Sequence, residues 1–383
     1  TTSARTKGKI ATKKTAIRKT SSRKNQNMST TLALPTVEEE VWRYSRIGEL
    51  DLASYRSATA TTTVENADGV QLAGSEASAL MGAAITDAPD VFAQMNTDNA
   101  AVVALKIAKG KVHATTVVIT HTINESGVVV YPRLVIDAAE NSEIIVVERF
   151  VSADNVASLV VPVVEIHAAQ SARVTYLAIN ELGNKTWQIG NQVAVGERDS
   201  NVRVFSVALG GDYARMRAEV RLVGQGANAQ QTALYFADGT QMHDFRTLQV
   251  HEAPRTRSDL LFKGAVKDTA KSVYTGLIKI SENATKTEAF QTNRNLTLSH
   301  GAWAESVPNL EIETNDVKCS HASTVGPIDD EQRFYLESRG VPPEIAERLV
   351  VFGFFDEVIE RLPKSEFIEG IRAKVIAKLG SNA

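Results

Sequence analysis

Four short polar turns recur along the middle of this chain at a near-constant interval. Glu140-Asn141-Ser142, Gln170-Ser171-Ala172, Asp199-Ser200-Asn201 and Gly226-Ala227-Asn228 start about 27 to 30 residues apart, the size of repeat expected of stacked supersecondary units. Each leads into a short strand-like run, such as Ile144-Ile145-Val146-Val147-Glu148, Arg173-Val174-Thr175-Tyr176-Leu177 or Val202-Arg203-Val204-Phe205-Ser206-Val207. From about Asn99 to Thr324 the texture stays of this kind, with almost no helical period. A β-sandwich also supplies many short strands, but it closes near ~100 residues and favours Asn-Gly or Asp-Gly hairpins. Here Asp238-Gly239 is one of few such turns. A fixed period with one recurring turn is what stacked coils give when each buries its apolar side on its neighbours. The middle of the chain is therefore read as a parallel β-helix, residues 99–326.

The flanks differ. Pro35 to Leu52 carries Glu38-Glu39-Glu40 and then Val41, Trp42, Tyr44, Ile47 and Leu50 at spacings near three and four, which predicts a short amphipathic helix with acids in its first turn. Glu76 to Met81 and Asp90 to Met95 add two short helices within an N-terminal helical region, 28–98. After Gly326 the period turns helical again. Asp329-Asp330-Glu331 opens a helix that Gly340 ends, and Pro342-Pro343 opens a second, with Ile345, Leu349, Phe352, Ile359 and Leu362 on one face. Ser365 can cap a third, and residues 327–383 are read as a helical domain whose exposed apolar remainder would dock a partner.

The net charge of −3 conceals a division. Residues 1–27 hold nine basic side chains and no acidic one, which leaves 33 basic against 45 acidic groups, or −12, on the rest. This tail, with Ile10 and Ile17 as its only large apolar residues, is expected to be disordered. It reads as an inert extension upstream of Met28, a transit peptide, or a nucleic-acid-binding tail; the lack of interleaved aromatics counts against the third. No apolar run approaches the ~18 residues of a membrane helix, so a soluble, cytoplasmic protein is expected, or a plastid one if the tail is a transit peptide. One cysteine excludes an intramolecular disulfide.

That cysteine supplies the candidate site. Cys319 and His321 at i and i+2 share one face of an extended strand, where thiolate and imidazole can both ligate a soft or borderline metal. One thiol and one imidazole make half a site, because zinc and iron–sulfur centres need about four ligands; the remainder would come from another molecule. His113, His121, His243-Asp244 and His251-Glu252 are read as structural, and His167 and His300 have no companions in the sequence. Gln291, Asn293 and Asn295 alternate on one strand face and are assigned to a stacked amide ladder. No G-x-x-x-x-G-K-[ST] loop exists, so the chain is not expected to hydrolyse ATP, and no G-x-S-x-G elbow is present.

From His243 to Leu362 the chain resembles the SufB/SufD family of iron–sulfur cluster assembly proteins. The resemblance is carried by Glu311-Ile312-Glu313-Thr314-Asn315-Asp316-Val317-Lys318-Cys319-Ser320-His321, by Thr324-Val325-Gly326, Asp329, Phe334-Tyr335-Leu336 and Ser338-Arg339-Gly340, and upstream by Gly264, Gly276, Ala284-Thr285-Lys286-Thr287, Gln291-Thr292-Asn293 and Asn295-Leu296. Leu209-Gly210-Gly211 and Glu40-Val41-Trp42-Arg43-Tyr44 fit more sparsely. The resemblance implies a right-handed parallel β-helix core with an N-terminal helical region and a C-terminal helical domain. It also implies a non-catalytic scaffold that pairs through its β-helix with a SufB-like paralogue, or with itself in isolation, and through its C-terminal helices with a SufC-like ABC ATPase, the route by which ATP enters. A second core cysteine and a Glu-His-Glu element would mark SufB-type chains; Lys318-Cys319-Ser320-His321 stands instead, so the SufD type fits better. His321, with Cys319 beside it, would then complete an interface site shared with SufB for a nascent iron–sulfur cluster. The family's His-Gly-Ala-Thr reads His321-Ala322-Ser323-Thr324 here, which leaves the turn after His321 open. The reading from another class is a polysaccharide-acting parallel β-helix enzyme.

Overall fold

A computed structural model describes residues 33–380; the basic segment 1–27 lies outside the described residues. The chain winds into a β-solenoid of about eight turns. The strands form two sheets, and from Val163–Ala168 onward successive strands alternate between them, so each pairs with the strand two elements away. Arg173–Glu181 lies parallel and in register between Glu143–Ser152 and Asn201–Ala208 in one sheet, while Trp187–Gly196 and Tyr213–Leu222 pair in the other. The apolar core sits between the sheets, joining Val117, Val146 and Tyr176 of the first to Leu105, Leu134 and Ile166 of the second.

The recurring polar turns have a stereochemical cause. Asn141, Ser171, Asp199, Gly226, Arg255 and Lys286 each take a left-handed conformation, φ between 56° and 76°, which small polar residues and glycine tolerate best. Each donates its backbone N–H to a carbonyl of the next coil's turn, at 2.5 to 3.3 Å. The corner is thus a hydrogen-bonded ladder like the sheets it joins. The last two members, Arg255 and Lys286, carry no small-residue signal, which is why the sequence period fades there.

The first coil is closed. Thr61–Glu65 pairs antiparallel with Val117–Ile123, and Gln71–Leu72 antiparallel with Ala101–Ile107; between them Ala67 and Val70 bury against Val103, Leu105 and Ile107. Helices α1 (Gly74–Ala79) and α2 (Val91–Asn99) follow, α2 capped by Asp90, which accepts from the Ala93 N–H at 2.8 Å. A buried carboxylate anchors this segment: Glu165 accepts from Arg133 and from the backbone N–H groups of Gly82, Ala84 and Ile85.

The helix expected over 35–52 does not form. Three 3-10 turns, Glu40–Trp42, Ile47–Glu49 and Leu52–Ser54, replace it. They make a strap fixed from outside: the Arg215 guanidinium lies 4.0 Å from the Trp42 ring centroid and donates to the Val41 carbonyl at 2.7 Å, and Arg46 pairs with Asp212. Tertiary anchors five residues apart, Trp42 and Ile47, override the near-helical spacing of the apolar residues.

At the other terminus α3 (Asp330–Ser338) is capped by Asp329 and ends at Gly340, φ 85°. Helices α4 (Pro343–Ile359) and α5 (Phe367–Gly380) share a core with the solenoid, Val351, Phe355, Val358, Ile371 and Val375 packing on Leu177, Phe205, Leu234 and Phe236. The apolar face expected of α4 is therefore divided: Ile359 and Leu362 are buried, while Ile345 and Leu349 face solvent at 43% and 50% exposure. The Ser365 hydroxyl is buried without a partner among the described residues and does not cap α5.

Candidate functional site

Cys319 and His321 lie on Val317–Gly326, the last strand of its sheet. Its one neighbour, Thr287–Thr297, buries every second residue from Thr287 to Asn295. In-register parallel pairing sets Cys319 beside Ala289, His321 beside Gln291 and Ser323 beside Asn293, so all three belong to the interior face, as expected of residues two apart. The row beneath His321 runs through Gln291, Leu260, Gln231, Val204, Tyr176, Val146 and Val117. Every one of these seven is at most 3% exposed, whereas His321 is exposed. His321 is an interior position with no coil of the described residues on top of it.

The opposite sheet ends the same way. Leu310 and Ile312 of Trp303–Ile312 continue the rows of Ile278 and Ile280, which are fully buried, yet each is 41% exposed. Ser323 and Ser306 bond across the gap between the edge strands at 2.6 Å. Cys319 is half-buried against Ile278, Ile280, Ala284 and Ala289, and this burial pushes its thiol pKa up. An unassisted thiol there stays protonated until a cation or metal lowers its pKa. Ala322 is extended and the strand runs unbroken to Gly326, so the position needs no glycine. No group of three or more metal-ligating side chains occurs among the described residues; the pair puts one thiol and one imidazole at an uncovered edge.

The amides do not form the expected ladder. Their coil neighbours Leu260, Phe262 and Gly264 offer no side-chain partner. Asn293 and Asn295 instead close on Tyr235, two coils away, at 2.9 and 2.6 Å. Gly264 makes that reach possible, since a Cβ there would stand 1.9 Å from the tyrosine ring.

Of the histidines, His121 is fully buried between Thr62 and Glu148, whose other oxygen takes the Tyr176 hydroxyl. His243 and His251 are buried too, and desolvation drops them to about 3 and about 4; Asp244 and Glu252 turn to Arg215 and Arg221 instead. His113 bonds the Asn66 carbonyl, and His300 is exposed. His167, without companions in the sequence, stands between Asp137 at 2.9 Å and Glu197 at 3.2 Å, and the bond to Asp137 is the main cause of its raised pKa. Both partners are 30 residues away, so the coil period was the signal that could have found them.

Residues 121–354 match the family model described as "SUF system FeS cluster assembly, SufBD core domain". The chain is 36% identical over 357 residues to the "Iron-sulfur cluster assembly SufBD family protein Rv1462" of Mycobacterium tuberculosis, covering 89% of this chain and 88% of that one. It is 31% identical to the "Iron-sulfur cluster assembly protein SufD" of Escherichia coli over 64% of this chain and 57% of that one, and 31% identical to the protein of the same name from Bacillus subtilis over 68% and 59%. No helix among the described residues is long and apolar enough to cross a membrane. With a two-sheet solenoid and a cysteine–histidine pair on its last strand, this chain belongs to the SufB/SufD family of iron–sulfur cluster assembly proteins.

Proposed function

We propose that this chain is a SufD-type, non-catalytic scaffold subunit that pairs through the open end of its solenoid with a SufB-type paralogue. The observation that carries this reading is the buried row ending at exposed His321: an interior left uncovered, flanked by two edge strands, calls for another surface. In the pair, the edge strands meet those of the paralogue, Leu310 and Ile312 become buried, and Cys319 and His321 face thiolates of the partner. A nascent iron–sulfur cluster, the product handled there, takes its remaining ligands from that side. The exposed Phe334, Tyr335, Ile345 and Leu349 give a SufC-type ATPase an apolar surface on α3 and α4, and ATP acts only through that subunit. A cytoplasmic setting, or a plastid one, suits a free thiol.

His321→Ala tests the site. The variant is expected to assemble with both partners while cluster formation in vivo is abolished. Normal maturation by an assembled His321→Ala complex overturns the assignment.

A further inference from the structure

Gln291 lies directly below His321 in the interior row and is 2% exposed. Neither its amide nitrogen nor its carbonyl oxygen has a hydrogen-bond partner among the described residues. A buried amide left this way is costly, and native folds keep few of them. The surroundings narrow what the amide is for. Below it, Leu260 offers nothing polar. Across the interior, the amide sits over Gly276, where a Cβ would stand 2.4 Å from its nitrogen; the absent side chain makes its room. The nearby Tyr274 hydroxyl is engaged with Thr247 at 2.8 Å, and Asn293 and Asn295 are closed on Tyr235 and each other. In the coil above stands His321, whose ring makes no hydrogen bond to any described residue. Parallel neighbours are ~4.8 Å apart, within reach of an amide–imidazole bond between stacked side chains.

We infer that Gln291 is the positioning residue for His321, its side-chain carbonyl accepting from one ring N–H when the open end is covered. An imidazole bonded at one nitrogen has its tautomer and ring direction set, and the other nitrogen presents its lone pair outward. This inference rests on the reading of His321 as a ligand donor, and it adds a second residue to that site from inside the solenoid.

The test uses the full chain, with and without its SufB-type and SufC-type partners, labelled with 15N-histidine; His321 signals are assigned by their loss in His321→Ala. One tautomer is expected to dominate in the covered state. Gln291→Leu, which matches Leu260 below it, should shift the tautomer ratio at least threefold towards that of free imidazole. Gln291→Met provides the same comparison if leucine perturbs folding, and Gln291→Glu, which retains an acceptor, should restore the dominant tautomer. An unchanged ratio in Gln291→Leu and Gln291→Met overturns the inference and assigns the amide to an interior water. If the spectra respond but His321→Ala still builds clusters, the positioning contact stands and the site assignment is what fails.

Discussion

The two ends of the solenoid solve the same problem in opposite ways. A stack of coils leaves apolar rows and unpaired backbone groups at each end, and repeat proteins need their terminal units to cover these. At the N-terminal end the chain does so itself: two strands reverse direction, pair antiparallel, and lower Ala67 and Val70 onto the first rows. At the C-terminal end the strands stop in parallel register, with Leu310, Ile312, Val325 and His321 left uncovered. One end is covered by the chain itself and the other leaves its interior rows exposed, so equal insults at the two ends should have unequal consequences.

The largest contrast comes from a charge placed at each end. Val70→Asp puts a carboxylate at a position 8% exposed, against Val103 and Leu105. It should destabilise the isolated chain by at least about 3 kcal/mol. Ile312→Asp, at 41% exposure, should change the chain's own stability by less than about 0.5 kcal/mol yet weaken the proposed pairing with a SufB-type paralogue roughly 100-fold. Urea denaturation of each variant, beside partner affinity by titration, reads both. Equal destabilisation by the two variants would break the distinction between a closed and an open end.

Acid attacks the covered interior specifically. His243 and His251 are held neutral by burial, with Lys378 adding to the effect at His243, at about 3 and about 4. An unfolded chain takes up a proton at each near pH 6.5, which the folded chain resists until far lower pH. Stability is therefore full above pH 6.5 and falls as the pH drops, with a loss of about 2 kcal/mol per histidine at pH 5. His167 works the other way, because its bonds to Asp137 and Glu197 raise its pKa; its contribution is present below pH 6.5 and lost as pH rises through the raised value. Being partly exposed, it should offset little of the acid loss. Denaturation midpoints at pH 7 and pH 5 check this, and His251→Asn should remove about half of the difference.

Glycine-to-alanine changes sharpen the comparison at smaller cost. Gly264 lies within covered coils, where a Cβ meets the Tyr235 ring at 1.9 Å, while Gly326 at the open end has nothing within 4 Å. Gly264→Ala forces the ring away from Asn293 and Asn295 and should cost about 2–3 kcal/mol. Gly326→Ala should be neutral within about 0.5 kcal/mol. Thermal unfolding of the two variants side by side decides whether the tyrosine–amide network is as tightly held as its geometry implies.

What the sequence made legible, and what it hid, follows from the coil period. The turns at Asn141, Ser171, Asp199 and Gly226 betray the stack because left-handed corners select small polar residues. The Cys319–His321 face was legible because strand alternation is local. The electrostatic partnerships were not, because each spans a whole coil: Arg133 with Glu165, Arg215 with Asp244, His121 with Glu148 and His167 with Asp137 are 27 to 32 residues apart. Helical or strand spacings cannot find such pairs; exact register is needed, and coil length varies by a few residues. The strap over 35–54 was misread for a related reason, since Arg215 and Asp212, which hold it, are more than 160 residues away.

The smallest predicted effect lies in the turn ladder itself. Asn141, towards the closed end, and Lys286, in the last rung before the open one, adopt nearly the same left-handed conformation, φ 56° and 59°. Asparagine tolerates that conformation, and its side chain also bonds Glu140 at 3.1 Å. Lysine carries the steric penalty of about 1–2 kcal/mol that left-handed backbone imposes on most residues, and its exposed side chain makes no hydrogen bond to any described residue to offset it. Lys286→Gly removes the penalty but loosens the unfolded chain by roughly 0.5–1 kcal/mol. A net gain of about 0.5 kcal/mol should remain at Lys286 and none at Asn141→Gly, measurable as a shift in denaturation midpoint. A gain of that size at Asn141 as well would mean that the corners are strained along the whole stack, and that the open end is no less settled than the closed one in its backbone.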